Sequence, residues 1–255
     1  MATPREINRH MKSVGNIGKI TKAMKMVAAA RLRRAQEKAA ASRPYAIKIK
    51  EVLSNVVSDP SVLAGLDAKK HPLLQKREVQ KVGYLVLCSD KGLAGAYSSN
   101  ALKKAIAEIS ECEDEVVIIT CGRKARDFFT RRGFNVIQSH IGFSDRPTYE
   151  NAVAIAQDAI KTFASEGFDK LNIVYTIFKT ALSQIPTSEV ILPVEPPAKE
   201  NDKAQASFMF EPGEDETLKV LAPKYLETVV YAALVQSAAS ELGSRMTAMS
   251  SATDN

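Results

Sequence analysis

Tryptophan is absent and aromatic residues make up only 6% of the 255 positions, so burial has to come from aliphatic and small side chains. Cysteine is scarce as well. Cys88, Cys112 and Cys121 are too few and too scattered for a disulfide framework or a metal site, and buried thiols in a reducing compartment are the simpler reading. His10, His71 and His140 lie far apart with no paired ligand spacing, so the sequence assigns no metal and no cofactor. No apolar run reaches the roughly 18 residues that a membrane span needs. The first ten residues are polar and charged, without the apolar core of a secretory signal. These absences point to an intracellular protein, or to a mature form, and the rest of the composition is ordinary for a globular chain at 45% hydrophobic and 25% charged.

Charge is unevenly placed. The formal net charge is +6, yet residues 1–50 hold 13 Lys or Arg against Glu6 and Glu37, which gives this segment +11 and leaves −5 for the remainder. A basic segment of this kind faces water, or faces something acidic: a protein surface, nucleic acid or anionic lipid. Charge alone does not choose among them. Lys12, Lys19, Lys22, Lys25, Arg31, Arg33, Arg34 and Lys38 could track a phosphate backbone, but no aromatics interleave with them for base stacking.

The same segment reads as one long helix. Thr3, Pro4 and Glu6 form a start signal, with a cap, a proline at the first position and a capping-box acid. Ile7, Met11, Val14, Ile17, Ile20, Met24 and Val27 recur every three or four residues and line one stripe. Ala28–Ala30, Leu32, Ala35 and Ala39–Ala41 continue with strong helix formers, and Ile49, Val52 and Leu53 resume the pattern before Asp59-Pro60 stops it. Pro44 marks a candidate kink. A helix of about 55 residues extends on the order of 80 Å, longer than any compact domain requires. Gly15 and Gly18 each weaken it by about 1 kcal/mol relative to Ala, so a partner helix is expected to hold it. That partner is the chain's end. Tyr225, Val229, Ala232, Gln236, Ala239, Leu242, Met246 and Met249 keep the same spacing, with Pro223 expected to begin the helix and 214–221 to form a separate turn.

Residues 61–212 alternate strand and helix. Val82–Cys88, Glu115–Cys121, Phe134–Ile137 and Leu171–Phe178 read as strands, and Ser188–Val194 as an edge strand. Ala101–Ile109, Arg123–Arg132 and Tyr149–Ala164 read as helices. Glu195–Gln205 reads as a loop and Phe208–Phe210 as a short strand. The expected fold is α/β: a parallel-type sheet with helices, carrying an antiparallel coiled coil of the two terminal helices. The expected divisions are 1–58 and 213–255 for the rod and 61–212 for the body.

The segment Ser89-Asp-Lys-Gly-Leu-Ala-Gly-Ala-Tyr97, a glycine-bearing turn after a strand, is where an open α/β sheet would place a ligand. It has neither the phosphate-loop nor the dinucleotide glycine spacing, and no nucleophile–base grouping stands near it in sequence. A turn used for packing or for a partner is the competing reading.

Particular strings carry a resemblance. Ile20-Thr-Lys-Ala-Met-Lys-Met-Val-Ala-Ala29, running on to Arg31-Leu-Arg-Arg-Ala-Gln36, resembles the N-terminal helix of F-type ATP synthase gamma subunits. Ser89–Asn100 resembles the loop after that family's first strand. Phe178–Gln184 and Ala238–Met249, followed by Ala252-Thr-Asp-Asn255, match in the same order, so the likeness spans the chain. It implies a rotating shaft that couples proton flow to ATP synthesis or hydrolysis on the beta subunits and has no catalytic site of its own. The implied partners are the alpha and beta subunits, epsilon and the c-subunit ring, with no nucleic acid. The implied place is the cytoplasmic face of a bacterial inner membrane, peripherally bound. Met24, Lys25, Arg31, Arg33, Arg34, Ser89, Asp90, Lys91, Gly92, Arg245 and Met246 are implied partner contacts, the basic ones facing acidic loops of beta. A basic coiled-coil adaptor for nucleic acid is the alternative.

The sequence departs from the family in places. Family members usually carry Cys where Ala94 stands, bulkier polar residues where Gly15 and Gly18 stand, and a C-terminal tip beyond the Ala-Thr-Asp-Asn string. Either the sequence is cut short at Asn255 or the protein works with a short axle.

Overall fold

The structure, a computed structural model, describes residues 3–57, 71–194 and 213–255. It is built of α1 (Pro4–Val57), a 3-10 turn (Pro72–Leu74), β1 (Lys81–Leu87), α2 (Tyr97–Glu111), β2 (Glu115–Cys121), α3 (Arg123–Arg131), β3 (Val136–His140), α4 (Tyr149–Ala164), β4 (Lys170–Phe178), β5 (Gln184–Leu192) and α5 (Glu214–Asp254). The readings at Asp59-Pro60, Glu195–Gln205 and Phe208–Phe210 fall outside the described residues.

Five strands form one sheet in the order β3-β2-β1-β4-β5. The first four are parallel and β5 returns antiparallel to β4. The apolar runs are long because both faces are covered. On one face Val82, Tyr84, Val86 and Ile118 pack under α2 and α3 through Ala101, Ala105 and Phe129. On the other, Leu85, Leu87, Ile119, Leu171 and Ile173 pack under α4 and α5 through Ile155, Phe163, Leu226 and Val230. Helices α2 and α3 share a face because β1, β2 and β3 step in one direction, and α4 crosses to the other face because β4 lies on the far side of β1. Right-handed crossovers require this.

Thr148 caps α4 by accepting from Asn151 N while the Asn151 side chain bonds back to Thr148. Strand β5 begins at Gln184, earlier than the expected Ser188, because Phe178–Gln184 and Ile177–Ile185 already pair across the hairpin. Pro186 within it is tolerated at a sheet edge.

Helix α1 runs its full 54 residues through Pro44, which is exposed. Helix α5 also runs straight through Pro223, which corrects the expected break. Leu218 and Ala222 before the proline and Leu226 and Val230 after it are all buried in one cluster. Burial on both sides offsets the roughly 3 kcal/mol that an interior proline costs.

The two long helices pack along a seam of small residues. Thr21, Met24, Ala28, Leu32, Ala35, Ala39, Ser42, Ala46, Ile49 and Leu53 step by three or four and are all buried or half-buried, the spacing of a coiled coil. Leu32 meets Ala239, Leu242 and Met246. Further up, Thr21 Oγ1 lies 2.7 Å from Thr253 Oγ1, and Lys25 Nζ donates to Ser250 Oγ at 2.8 Å.

Above Thr21 no described residue of the chain covers α1. Ile7, Met11, Val14, Ile17 and Ile20 are all about half exposed, and nothing stands within 4 Å of where a Cβ on Gly15 or Gly18 would lie. The expected partner for those glycines is therefore not found, since α5 reaches only to the level of Thr21.

Candidate functional site

The carboxyl edge of the sheet is where open α/β proteins hold ligands, in the crevice where the strand order reverses. Here that crevice lies between β1 and β4, whose ladder ends at Val86–Val174. Helix α5 enters the gap. Ser237 Oγ accepts from Thr176 N at 3.3 Å and Ser240 Oγ donates to Thr176 O at 3.0 Å. Gln236 Oε1 accepts from Phe178 N at 3.1 Å. Backbone groups that β1 no longer pairs are thus satisfied by the rod. Gly243 allows the closest approach, because a Cβ there would stand 2.9 Å from Phe178 Cε2 and 3.5 Å from Ala181 Cα. A helix occupies the usual place of a substrate.

One turn further along α5 a polar latch fixes the loops around it. Glu241 is fully buried and Arg245 is 8% exposed. Arg245 Nη2 stands 2.8 Å from Glu241 Oε1 and donates to Gly92 O at 3.2 Å. Neither oxygen of Glu241 receives a well-aligned hydrogen bond from a described residue. Burial raises the pKa of Glu241, while the Arg245 charge opposes the rise. Asp145, on the loop between β3 and α4, pairs with Arg31 of α1 and with Lys91 at 3.5 Å. The latch joins both rod helices to two loops of the body.

Asp90 anchors the loop itself. Its carboxylate accepts from Arg123 N at 3.1 Å, Gly142 N at 2.8 Å and Ser144 N at 3.0 Å. Burial pushes its pKa up, but the backbone N–H groups of Ser144, Gly142 and Arg123, with the Ser144 hydroxyl, outweigh it and hold the carboxyl below its ordinary value. Gly122 supports the same turn. Its φ of +96° is in the region that favours glycine, and a Cβ would meet Cys88 O at 2.2 Å.

The residues singled out from the sequence fall into two groups. Ser89 is buried and bonded to Ser98 Oγ at 2.7 Å, and Asp90, Arg31 and Arg245 are engaged inside the molecule as described. Met24 and Met246 are half-buried along the seam. Lys25, Arg33, Arg34, Lys91 and Gly92 are exposed, and Arg33 pairs with Glu37 at 3.1 Å. Sequence reasoning missed Glu241, Ser237, Ser240, Ser144 and Asp145. A signal existed for the first three, as polar residues repeating on an otherwise apolar helix.

Cys88 and Cys121 are buried free thiols, pushed well above the ordinary thiol pKa chiefly by burial. Among the described residues no group of three or more His, Cys, Asp or Glu could hold a metal ion, and no helix is long and apolar enough to cross a membrane.

A doubly covered α/β body with a two-helix rod seated in its ligand crevice defines a stalk-bearing protein, in which force on the rod passes directly into the sheet. A family model described as ATP synthase matches residues 3–255. An ATP synthase gamma chain from Brevibacillus brevis is 47% identical over 254 residues, covering 98% of this chain and 86% of that one. One from Desulfitobacterium hafniense is 42% identical over 255 residues, covering 100% and 88%. The chain belongs to the ATP synthase gamma-chain family. Its fold is also that of a chain in the central stalk and c-ring of the Tetrahymena thermophila mitochondrial ATP synthase, with a TM-score of 0.67 at 24% identity over 91% of this chain and 99% of that one.

Proposed function

We propose that the chain is the rotating central shaft of an F-type ATP synthase, coupling proton flow through the membrane sector to ATP synthesis or hydrolysis on the beta subunits. The observation that carries this reading is the seating of α5 in the β1–β4 crevice. The rod is bonded to strand backbone at Thr176 and Phe178, so torque applied to the body reaches the rod without passing through a flexible joint. The same seating leaves chemistry to other chains, and the chain couples without a catalytic site of its own. Residues 1–58 and 213–255 serve as the rod and 61–212 as the body, which meets epsilon and the c-subunit ring.

The outward residues Lys25, Arg33, Arg34, Lys91 and Gly92 form a collar around the rod's base that meets acidic loops of the beta subunits. The inward ones, Arg31, Ser89, Asp90 and Arg245, hold that collar in shape. Exposed ion pairs are weak, about 0–1 kcal/mol each, which suits a part that leaves one partner for the next. The complex sits peripherally on the cytoplasmic face of a bacterial inner membrane.

Reconstitution with alpha and beta subunits followed by single-molecule rotation tests the reading. The full chain is expected to co-purify with the ring and to turn during ATP hydrolysis, and Arg33→Glu with Arg34→Glu is expected to lower the torque. Failure to join the ring, together with salt-dependent DNA binding by the purified chain, would favour the nucleic-acid adaptor instead. The relatives lend that alternative no support.

A further inference from the structure

A cavity of about 280 Å³ opens where α1 crosses the loop between β3 and α4. Arg31, Arg34 and Lys38 of α1 and Arg146 of the loop supply four cations to its lining. Ala35, Pro147, Val235 and Ala238 complete an apolar floor. Asp145 is the single acid in the lining, and it is already engaged by Arg31 and Lys91. Lys38 donates only a long bond of 3.4 Å to Pro147 O, and the nearby carboxyl of Glu150 feels its charge. Arg34 and Arg146 have no carboxylate partner among the described residues. Arg31 turns its Nη1 to Asp145, and its buried Nε has no hydrogen-bond partner among the described residues.

We propose that this cavity binds a small phosphate-bearing anion, a free phosphate or the phosphates of a nucleotide, and that the bound anion ties α1 to the body. Two observations agree on it. The excess of cations over acids sets the sign of the ligand. The planar guanidinium groups of Arg31, Arg34 and Arg146 suit tetrahedral oxyanions, which they grip through paired N–H groups. A carboxylate from an acidic protein segment would meet Arg34 and Arg146 at the rim, whereas a free oxyanion can enter among all four cations. The volume is close to the lower end for ligand pockets, about 300 Å³, which fits a diphosphate or a compact nucleotide. The apolar floor offers a seat for a base.

Calorimetric titration of the full chain with inorganic phosphate, pyrophosphate and ADP, at constant ionic strength in a chloride buffer, tests the proposal. Saturable one-to-one binding is expected, weakened at least tenfold in Arg34→Gln and in Arg146→Gln. Arg43→Gln, which removes the same charge from an exposed position of α1 outside the cavity, is expected to change it by less than twofold. Displacement of ADP by inorganic phosphate would identify the phosphate as the ligand; binding of ADP alone would identify the nucleotide. Arg34 and Arg146 are exposed, so both variants should keep the wild-type circular dichroism spectrum. Ligand should also raise the thermal midpoint of the wild type more than that of Arg34→Gln, as linkage requires. The proposal is overturned by no saturable binding of any of the three anions, or by equal weakening in Arg43→Gln, which would mean diffuse attraction to a basic helix.

Discussion

Helix α1 is one continuous element with two different halves. From Thr21 to Leu53 its seam is mostly narrow, made of Ala28, Ala35, Ala39, Ser42 and Ala46, with larger side chains at Met24, Leu32, Ile49 and Leu53. From Ile7 to Ile20 the spacing continues unbroken but the side chains are bulky, and they stand half exposed. Small residues let two helix backbones approach closely and keep the rod slim; bulky ones present area to whatever lies outside it. The repeat runs through both halves, and among the described residues only the half with the small side chains is covered by α5. Within the seated half, Arg31 joins the latch through Asp145, while the pairs Arg33–Glu37 and Lys48–Glu51 stay exposed.

The comparison breaks hardest at the latch. Arg245→Ala leaves Glu241 buried without its counter-charge, and breaking a buried pair from one side costs about 3–5 kcal/mol. Urea unfolding of the full chain should show that loss. Replacing both partners, with Glu241→Leu and Arg245→Met, should recover most of it. If the single and double variants unfold alike, the pair does not hold the rod. The sign of the pH effect follows from the raised pKa of Glu241. Its contribution favours the fold below its ordinary range near 4.5 and is lost as pH rises through the raised folded value. Glu241→Gln should remove that slope.

Next in size is a paired truncation on α1. Leu32→Ala removes a side chain that is 7% exposed and should cost about 2–3 kcal/mol. Ile17→Ala, on the same helix but 52% exposed, should stay within about 0.5 kcal/mol. Equal losses in thermal melts would mean that the isolated chain buries both halves alike.

Why some of this could be read from residues and some could not has a physical reason. Strands β1, β2 and β4 are buried on both faces, so their runs are continuously apolar and stand out. Helix α1 shows its seam because only one side is covered. Helix α5 is covered by the sheet on one side and α1 on the other. Its periodic contrast is weak for that reason, and only the face of Tyr225, Val229 and Ala232 was visible. The face of Leu226, Val230, Ser237 and Glu241, which seats it in the sheet, was not. Pro223 misled for a related reason: a local penalty was counted, whereas the burial that outweighs it is tertiary. At the site, the basic run of α1 and the Ser89–Ala96 loop were legible as places. Whether each side chain points in or out was not, because Arg31 finds Asp145 across 114 residues and Arg245 finds Gly92 across 153. No local spacing encodes such pairs.

A smaller effect probes the loop that the latch holds. Asp90→Asn keeps the shape but leaves one acceptor oxygen, where the carboxylate has two oxygens that accept from three backbone N–H groups. At pH 7 the loss should be about 1–3 kcal/mol, as for hydrogen bonds to a charged group. The depressed pKa of Asp90 means its contribution is present above the unfolded value near 3.8 and disappears as pH falls through the lower folded value. Wild type and variant should therefore converge in thermal midpoint toward acid. A constant gap down to pH 2 would show that Asp90 acts through packing and not through charge.

The smallest effect lies in the free half and sharpens the contrast from the other side. Gly15 sits inside α1 with open space where a Cβ would lie, so Gly15→Ala meets no steric cost and gains helix propensity, up to about 1 kcal/mol. Because no described residue couples that turn to the body, the gain should be local. Hydrogen exchange at the amides around Gly15 should slow several-fold, while the global unfolding midpoint moves little. At Gly243 the opposite holds, since a Cβ there meets Phe178 and Ala181 and the cost falls on the whole molecule. A glycine that tolerates alanine at one end of the rod and refuses it at the other would separate the part of the shaft that α5 leaves uncovered from the part built to stay in its socket.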